Sequence, residues 1–218
     1  MKILLISSSP RKEKSQTFYL AKQVLKGCSK KDVKSEIVHL CDLNIKFCRH
    51  CELCHKKILA CLIKDDVRHI LEKVLDADGI IFATPNYINH ITGSMKVLLD
   101  RASHFIHCKR LSSKYIAGVV TSGSGQDEDV LNYLKYYSHT CGAQYTGGVS
   151  CSVPVSSEKI QKAVSLGKKL YSDIKTQRKY PAQIKIIEAG KQHFRNVMLR
   201  RKNHWTEEYL YWQKAGWM

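Results

Sequence analysis

The stretch KILLISSSPRKEKSQT, residues 2–17, changes character twice within a few turns of chain. Residues 2–7, KILLIS, are apolar without alternation, the pattern of a strand buried on both faces of a parallel sheet. A polar turn containing Pro10 follows, and a helix begins near Ser15, with Phe18, Leu20, Ala21, Val24 and Leu25 at helical spacing as far as Cys28. Strand, polar turn and helix make the first half of a βαβ unit. The crossover of such a unit is right-handed, and its ligands collect beyond the strand's carboxyl end.

The alternation continues. KSEIVHL (34–40), GIIFATP (79–85), YIAGVVTS (115–122) and AQYTGGVS (143–150) read as strands. Between and after them, helices are predicted from Lys64 to Asp76, over GSMKVLLDRASHF (93–105), over DEDVLNYLKYYSHTCG (127–142) and from Ser157 to Lys179. Together these predict a doubly wound, three-layer α/β domain over residues 1–180. Beyond Pro181 no strand remains. Residues 181–218 read as a helical extension that holds all three tryptophans (Trp205, Trp212, Trp217) and packs on the main domain or on a second subunit.

The chain has 218 residues, 44% apolar and 25% charged, ordinary for a globular protein with a sizeable core. No apolar run approaches the roughly 20 residues of a membrane span. The N-terminus reads as a first strand rather than a signal peptide, so a cytoplasmic protein with reduced thiols is expected. The formal net charge of +17 would suit a polyanion binder, yet the basic residues are scattered along the chain. The densest run, KQHFRNVMLRRKNH (191–204), reads as a solvated helix face or a site for an anionic partner, and nucleic acid is not the expected ligand.

Three predicted strand ends carry ligand chemistry. After the first, Ser9, Arg11, Ser15, Gln16 and Thr17 surround a helix start whose free N–H groups suit a phosphate, the alternative being a polar turn with Ser15 as a simple helix cap. The segment is neither a GxxxxGKS loop nor a GxGxxG fingerprint. After the third comes TPNYINHITGSMK (84–96), where Pro85 stiffens the exit and Tyr87 offers a flat face to a planar ring. After the fourth comes TSGSGQDE (121–128), whose glycines allow close backbone approach. His90, His104 and His107 are placed near the second loop, as substrate-orienting groups or as ordinary surface and core residues.

FCRHCELCHKKILACLIKDD (47–66) holds four of nine cysteines: Cys48, Cys51 and Cys54 at two-residue gaps, then Cys61. Thiolates so spaced converge on one centre in ferredoxin-type runs, and a [4Fe–4S] cluster is the leading reading. A structural zinc, shared with His50 or His55, and metal-free thiols remain the alternatives. Lys56 and Lys57 are expected to offset the charge of a cluster. Cys28, Cys41, Cys108, Cys141 and Cys151 read as small buried hydrophobes. Asp65 and Asp66 read as the start of the next helix.

SSPRKEKSQT resembles the phosphate loop of flavodoxin-like FMN reductases, commonly GSPRK…NT. PNYINHITGSMKVLLDR resembles that family's second FMN loop, and the four cysteines resemble the compact motif of its iron–sulfur flavoprotein branch. The resemblance covers about residues 1–150, and the tail WQKAGW also looks like the end of that branch. Ser8 stands where the family usually has Gly, and Gln16 where it has Asn.

The resemblance implies a flavodoxin-like fold with sheet order 2-1-3-4-5 and non-covalent FMN. Ser9, Arg11, Ser15, Gln16 and Thr17 would hold the phosphate. Thr84, Pro85, Asn86, Tyr87 and Ile88 would line the isoalloxazine, with Thr121, Ser122, Gly123 and Ser124 along its other edge. It further implies a homodimer or homotetramer.

The function expected is an FMN-dependent oxidoreductase moving electrons from NAD(P)H or ferredoxin to a small-molecule or protein acceptor, with the Cys48–Cys61 loop as a relay. Because FMN carries the redox chemistry, no acid–base pair is required. A cluster-free NAD(P)H:quinone or FMN reductase, and a basic binding module on the same scaffold, are the alternatives.

Overall fold

In the computed structural model, which describes residues 1–218, β1 (Lys2–Ser7), β2 (Lys34–His39), β3 (Gly79–Pro85), β4 (Tyr115–Ser122) and β5 (Gln144–Ser152) form one all-parallel sheet. Its order, β2-β1-β3-β4-β5, is the flavodoxin-like order that the resemblance implies. The helices are α1 (Gln16–Cys28), α2 (Leu53–Lys56), α3 (Val67–Asp76), α4 (Gly93–Asp100), α5 (Ser103–His107), α6 (Asp127–Thr140), α7 (Ser157–Thr176), α8 (Pro181–Arg201) and α9 (Thr206–Lys214).

The absence of alternation in β1 has a direct cause. Leu4 and Ile6 face a core built with α3, α4 and α6, while Ile3 and Leu5 face a second core built with α1 and α7. Both faces are dry, so both sets of side chains are apolar. Side-chain caps begin three of the helices: Ser15 accepts from Phe18 N (3.2 Å), Thr92 from Met95 N (3.4 Å) and Ser156 from Lys159 N (3.3 Å).

The helix expected over 93–105 is two helices. The chain leaves helical geometry at Ala102, next to Arg101, whose guanidinium is held by Asp65 on the preceding loop. The helix expected from Lys64 begins at Val67. Asp66 occupies its cap position without a capping side-chain bond, and its carboxylate instead accepts from Asn44 N (2.7 Å). Cys41 is exposed rather than buried, unlike Cys28, Cys108, Cys141 and Cys151.

The C-terminal segment docks on the α/β body. Gln183 of α8 grips edge strand β5, accepting from Tyr145 N (2.7 Å) and donating to Tyr145 O (2.9 Å), which satisfies an edge otherwise open to pairing. Lys109 is buried, donates to Thr140 O (2.9 Å) and lies over the Phe194 ring. Trp205 and Trp212 form a third small core with Cys108 and Met198. No helix is long and apolar enough to cross a membrane.

Helices α1 and α7 meet backbone to backbone at Gly27 and Gly167. A Cβ on Gly167 would stand 1.9 Å from Val24 O and one on Gly27 2.2 Å from Val164 O, so these helices touch only because both residues lack side chains. Gly167→Ala should therefore force them apart and lower unfolding free energy by about 1–3 kcal/mol, read as a lower denaturant midpoint at unchanged slope.

Candidate functional site

The carboxyl ends of β1, β3 and β4 are knitted into one rim. Ser8 N donates to Ala83 O (2.9 Å), Asn86 N to Thr121 O (2.7 Å) and Asn86 Nδ2 to Gly125 O (3.1 Å), while the Thr17 and Thr121 hydroxyls meet at 2.6 Å. The three loops singled out in the sequence therefore share one edge of the sheet, as parallel topology requires.

Within this rim the side chains divide. Ser9, Ser15 and Thr17 are buried at the start of α1, and Arg11 is exposed and forms no ion pair. The first turn of α1 holds no acidic residue, and its leading N–H groups have no partner within the helix. The Gln16 side chain is engaged by the loop after β5, its Oε1 accepting from Val155 N (3.2 Å). Thr84 supports the second loop internally, accepting from Thr92 N (3.1 Å) and donating to Pro85 O (3.0 Å). Ser122 donates to Asp127 (3.2 Å) and accepts from Gly125 N (3.1 Å), shaping the third loop.

The surfaces left open belong to Tyr87, Ile88, Gly123 and Ser124, with Ile88 97% exposed. Asn86 Oδ1 is buried without a partner. Free amides, buried hydroxyls, an unpaired Arg and an orphaned amide oxygen form a donor and acceptor set that fits a phosphate and a planar polar ring.

A second site lies at the far end of α4. Cys48, Cys51, Cys54 and Cys61 all line one cavity of about 610 Å³. Their sulfurs attract donors: His50 N to Cys48 (3.4 Å), Ile63 N to Cys61 (3.4 Å), Arg101 Nη2 to Cys61 (3.3 Å), and the Ser103 hydroxyl stands 3.6 Å from Cys54. Arg49, Lys64, Arg68 and Arg101 give the cavity its positive lining. Lys56 and Lys57, expected in that role, do not line it.

Sulfurs surrounded by N–H donors and cations suit a thiolate-ligated, negatively charged centre. The set of three potential metal-ligand atoms within 4.8 Å of one another is His55, His107 and Glu208, and it contains no cysteine. Sulfurs around one tetrahedral zinc stand about 3.8 Å apart, a spacing that no trio of these thiols reaches.

The base of the cysteine loop is closed by an ion pair that sequence reasoning missed. Arg101 donates from Nη1 to Asp65 Oδ2 (2.7 Å) and Lys46 O (2.7 Å), and from Nη2 to Asp65 Oδ1 (3.1 Å). Asp65 also accepts from Lys46 N (3.0 Å) and Val67 N (3.2 Å). Burial pushes the Asp65 carboxyl up, but the Arg101 guanidinium and these two amides outweigh it and hold it below the usual range. The Asp-Asp dipeptide after Cys61 was the visible signal for this contact.

His104 and His107 line the cysteine cavity, not the second rim loop where they were placed, and only His90 stays there, against Tyr133. His104 is 1% exposed with neither ring nitrogen bonded, and burial lowers its pKa to about 4, so it stays neutral. Glu208, on the tail, accepts from His55 Nδ1 (2.7 Å) and His107 Nδ1 (3.1 Å). Nothing in the sequence marked that trio, because Glu208 lies 153 positions from His55.

Residues 1–156 match the model of a family described as NADPH-dependent FMN reductase. The chain belongs to the NADPH-dependent FMN reductase family. Within that family it is 39% identical over 140 residues to an iron–sulfur flavoprotein of Archaeoglobus fulgidus, covering 62% of this chain and 68% of the relative. A second iron–sulfur flavoprotein of that organism aligns over all of both chains at 27% identity. Another, from Methanosarcina thermophila, is 31% identical over 67% of this chain and 78% of its own.

Among solved structures, an NADH:FMN oxidoreductase in its apo form superposes with TM-score 0.62 at 22% identity, over 84% of this chain and 92% of its own. An FMN-dependent NADH-azoreductase from Bacillus anthracis with FMN bound superposes with TM-score 0.57 at 15% identity, over 79% and 98%. These likenesses carry the flavodoxin-like fold. This FMN reductase family member adds to that fold a cysteine loop and a tail that meet at one cavity.

Arg101 and Asp65 are almost wholly out of water, 3% and 1% exposed, so removing one strands the other's charge. Arg101→Met should cost about 3–5 kcal/mol, measured by denaturant unfolding. The sign for Asp65 follows from its lowered pKa. Its contribution is complete above the unfolded carboxylate range and is lost as pH falls below about 4. Wild-type stability should therefore drop on acidification through that window, and the Arg101→Met variant should lose the share of that slope that Asp65 supplies.

Proposed function

We propose that the chain is an FMN-dependent electron-transfer oxidoreductase whose flavin sits on the rim and whose thiolates hold a [4Fe–4S] cluster. The observation that carries this reading is α4. Its N-cap Thr92 is tied to Thr84 of the second rim loop, and Arg101, just past its end, is bonded to Cys61. Eight residues of helix, about 12 Å, thus join the two sites in one rigid piece.

In this reading Ser9, Arg11, Ser15 and Thr17, with the α1 amides, hold the phosphate, and Gln16 contributes its backbone N–H. Pro85, Asn86, Tyr87 and Ile88 face the ring on one side, and Thr121, Ser122, Gly123 and Ser124 on the other. Thr84 acts by holding the second loop. The bound flavin supplies hydride and single-electron chemistry, so the chain's own task is orientation and charge. Arg101 keeps Cys61 in place and, with Arg49, Lys64 and Arg68, offsets negative charge in the cavity.

The donor is NAD(P)H or a ferredoxin, and the acceptor a small molecule or a protein. The family description names NADPH, which supports the nicotinamide. A homodimer or homotetramer would cover the open rim, where Ile88 is almost fully exposed. Nine unpaired cysteines accord with a reducing cytoplasm.

Anaerobic purification tests the reading. A brown protein with FMN and about four irons per chain is expected. A yellow protein with FMN and no iron would establish the cluster-free reductase instead. A colourless one that takes up no FMN, yet binds polyanions in a salt-sensitive way, would establish the binding module. Arg11→Ala should weaken FMN binding about tenfold in a flavin-fluorescence titration, and unchanged affinity would remove Arg11 from the phosphate site.

A further inference from the structure

The segment that carries Cys51 and Cys54 has little means of holding its own shape. Helix α2 is four residues long, barely one turn, and isolated helices of that length do not persist in water. His50 (φ 49°), Glu52 (φ 57°) and Leu59 (φ 64°) around it adopt left-handed backbone without being glycine, which costs free energy at each. Something outside the segment must hold it.

That support comes from the opposite end of the chain. Four consecutive residues, 205–208, reach four points between 52 and 58. Trp205 Nε1 donates to Glu52 Oε2 (3.2 Å), and the Thr206 hydroxyl donates to Lys56 O (3.3 Å). Glu207 accepts from Ile58 N, and Glu208 accepts from His55 Nδ1 (2.7 Å). The same Glu208 accepts through its other oxygen from His107 Nδ1 on α5 (3.1 Å), and the Trp205 ring stacks on His107 at 4.7 Å.

Glu208 thus bridges α2 and α5, the two helices whose Cys54 and Ser103 face each other across the cavity wall. Each carboxylate oxygen serves a different imidazole, and the two rings lie stacked 4.9 Å apart. That is the geometry of a two-armed hydrogen-bonded bridge rather than of three ligands closing on one ion. Both acids lie in the first turn of α9, where the helix dipole favours negative charge.

We propose that α9 is a clamp on the cysteine loop, with Glu208 as the positioning residue that sets Cys54 for ligation. The clamp gives the tail a role in building the metal centre and none in holding the flavin, whose rim it does not bond. This rests on the reading of the cavity as the seat of a thiolate-ligated cluster, so the test includes a readout that does not need one.

Full-length wild type, Glu208→Ala, Glu208→Gln and Glu207→Ala are stripped of iron anaerobically. Alkylation of Cys54 by iodoacetamide is then followed by mass spectrometry, with exposed Cys41 as internal standard. Glu208→Ala loses two buried charge-assisted bonds, and Cys54 should react about 10- to 100-fold faster. Glu208→Gln, which can still accept from one imidazole, should fall between it and wild type. After reconstitution with iron and sulfide, Glu208→Ala should retain less iron per chain than wild type while FMN per chain is unchanged.

Equal Cys54 rates in wild type and in a folded Glu208→Ala variant would overturn the clamp. If that variant does not melt cooperatively by circular dichroism, Glu207→Ala decides, since it removes one bond to Ile58 without opening the core. It should speed Cys54 about 2- to 10-fold, and an unchanged rate overturns the proposal. Wild type that takes up no iron while Cys54 still reacts faster in the variants would end the cluster reading and leave the clamp standing.

Discussion

Arg101 and Asp65 meet as a two-pronged ion pair with almost no water around either, and the arrangement of the cysteine half of the molecule follows from that contact. Isolated in the interior either charge would be costly, so each holds the other in place. Because the pair also takes in Lys46 O, Lys46 N, Val67 N and the Cys61 sulfur, it gathers both ends of the loop onto the end of α4. Tying the ends together meets much of the entropic cost of ordering what lies between.

The parallel sheet does for the rim what the ion pair does for the loop. Strands running one way bring the loops after β1, β3 and β4 to one edge, and bonds such as Thr17 to Thr121 and Asn86 to Thr121 join them. Many polar side chains there serve as scaffolding, which leaves backbone amides and a few side chains to meet a ligand. Such a site binds by shape and fixed dipoles more than by individual charges.

The excess positive charge finds two uses. Some of it lines the cysteine cavity, where Arg49, Lys64, Arg68 and Arg101 face the thiols. A smaller group lies on the outer face of α8, where Arg195, Arg200 and Arg201 are exposed while Ile187 and Met198 turn inward, and the rest is scattered along the chain. The tail is therefore amphipathic in function as well as in composition. Its polar residues reach the edge of β5 and the cysteine loop, and its tryptophans bury their rings beside Cys108.

The sequence alone determined what depends on local pattern: the five strands, the helices between them, the three ligand-friendly turns and the cysteine spacing. Central parallel strands such as β1, β3 and β4 are covered on both faces and must be apolar on both, and turns must carry small polar residues, so these features are written in neighbouring letters. The Asp65–Asp66 dipeptide was visible but read as a helix start, because a lone acidic pair does not say which distant cation it meets.

Tertiary structure alone decided that Arg101 closes the loop and that His104 and His107 face the thiols. It also decided that Glu208 spans from the tail to His55. Those contacts join residues 36 to 153 positions apart. Long-range pairing of that kind leaves no periodic trace in a single chain, because it is selected by burial and charge only after the sheet has brought the partners together.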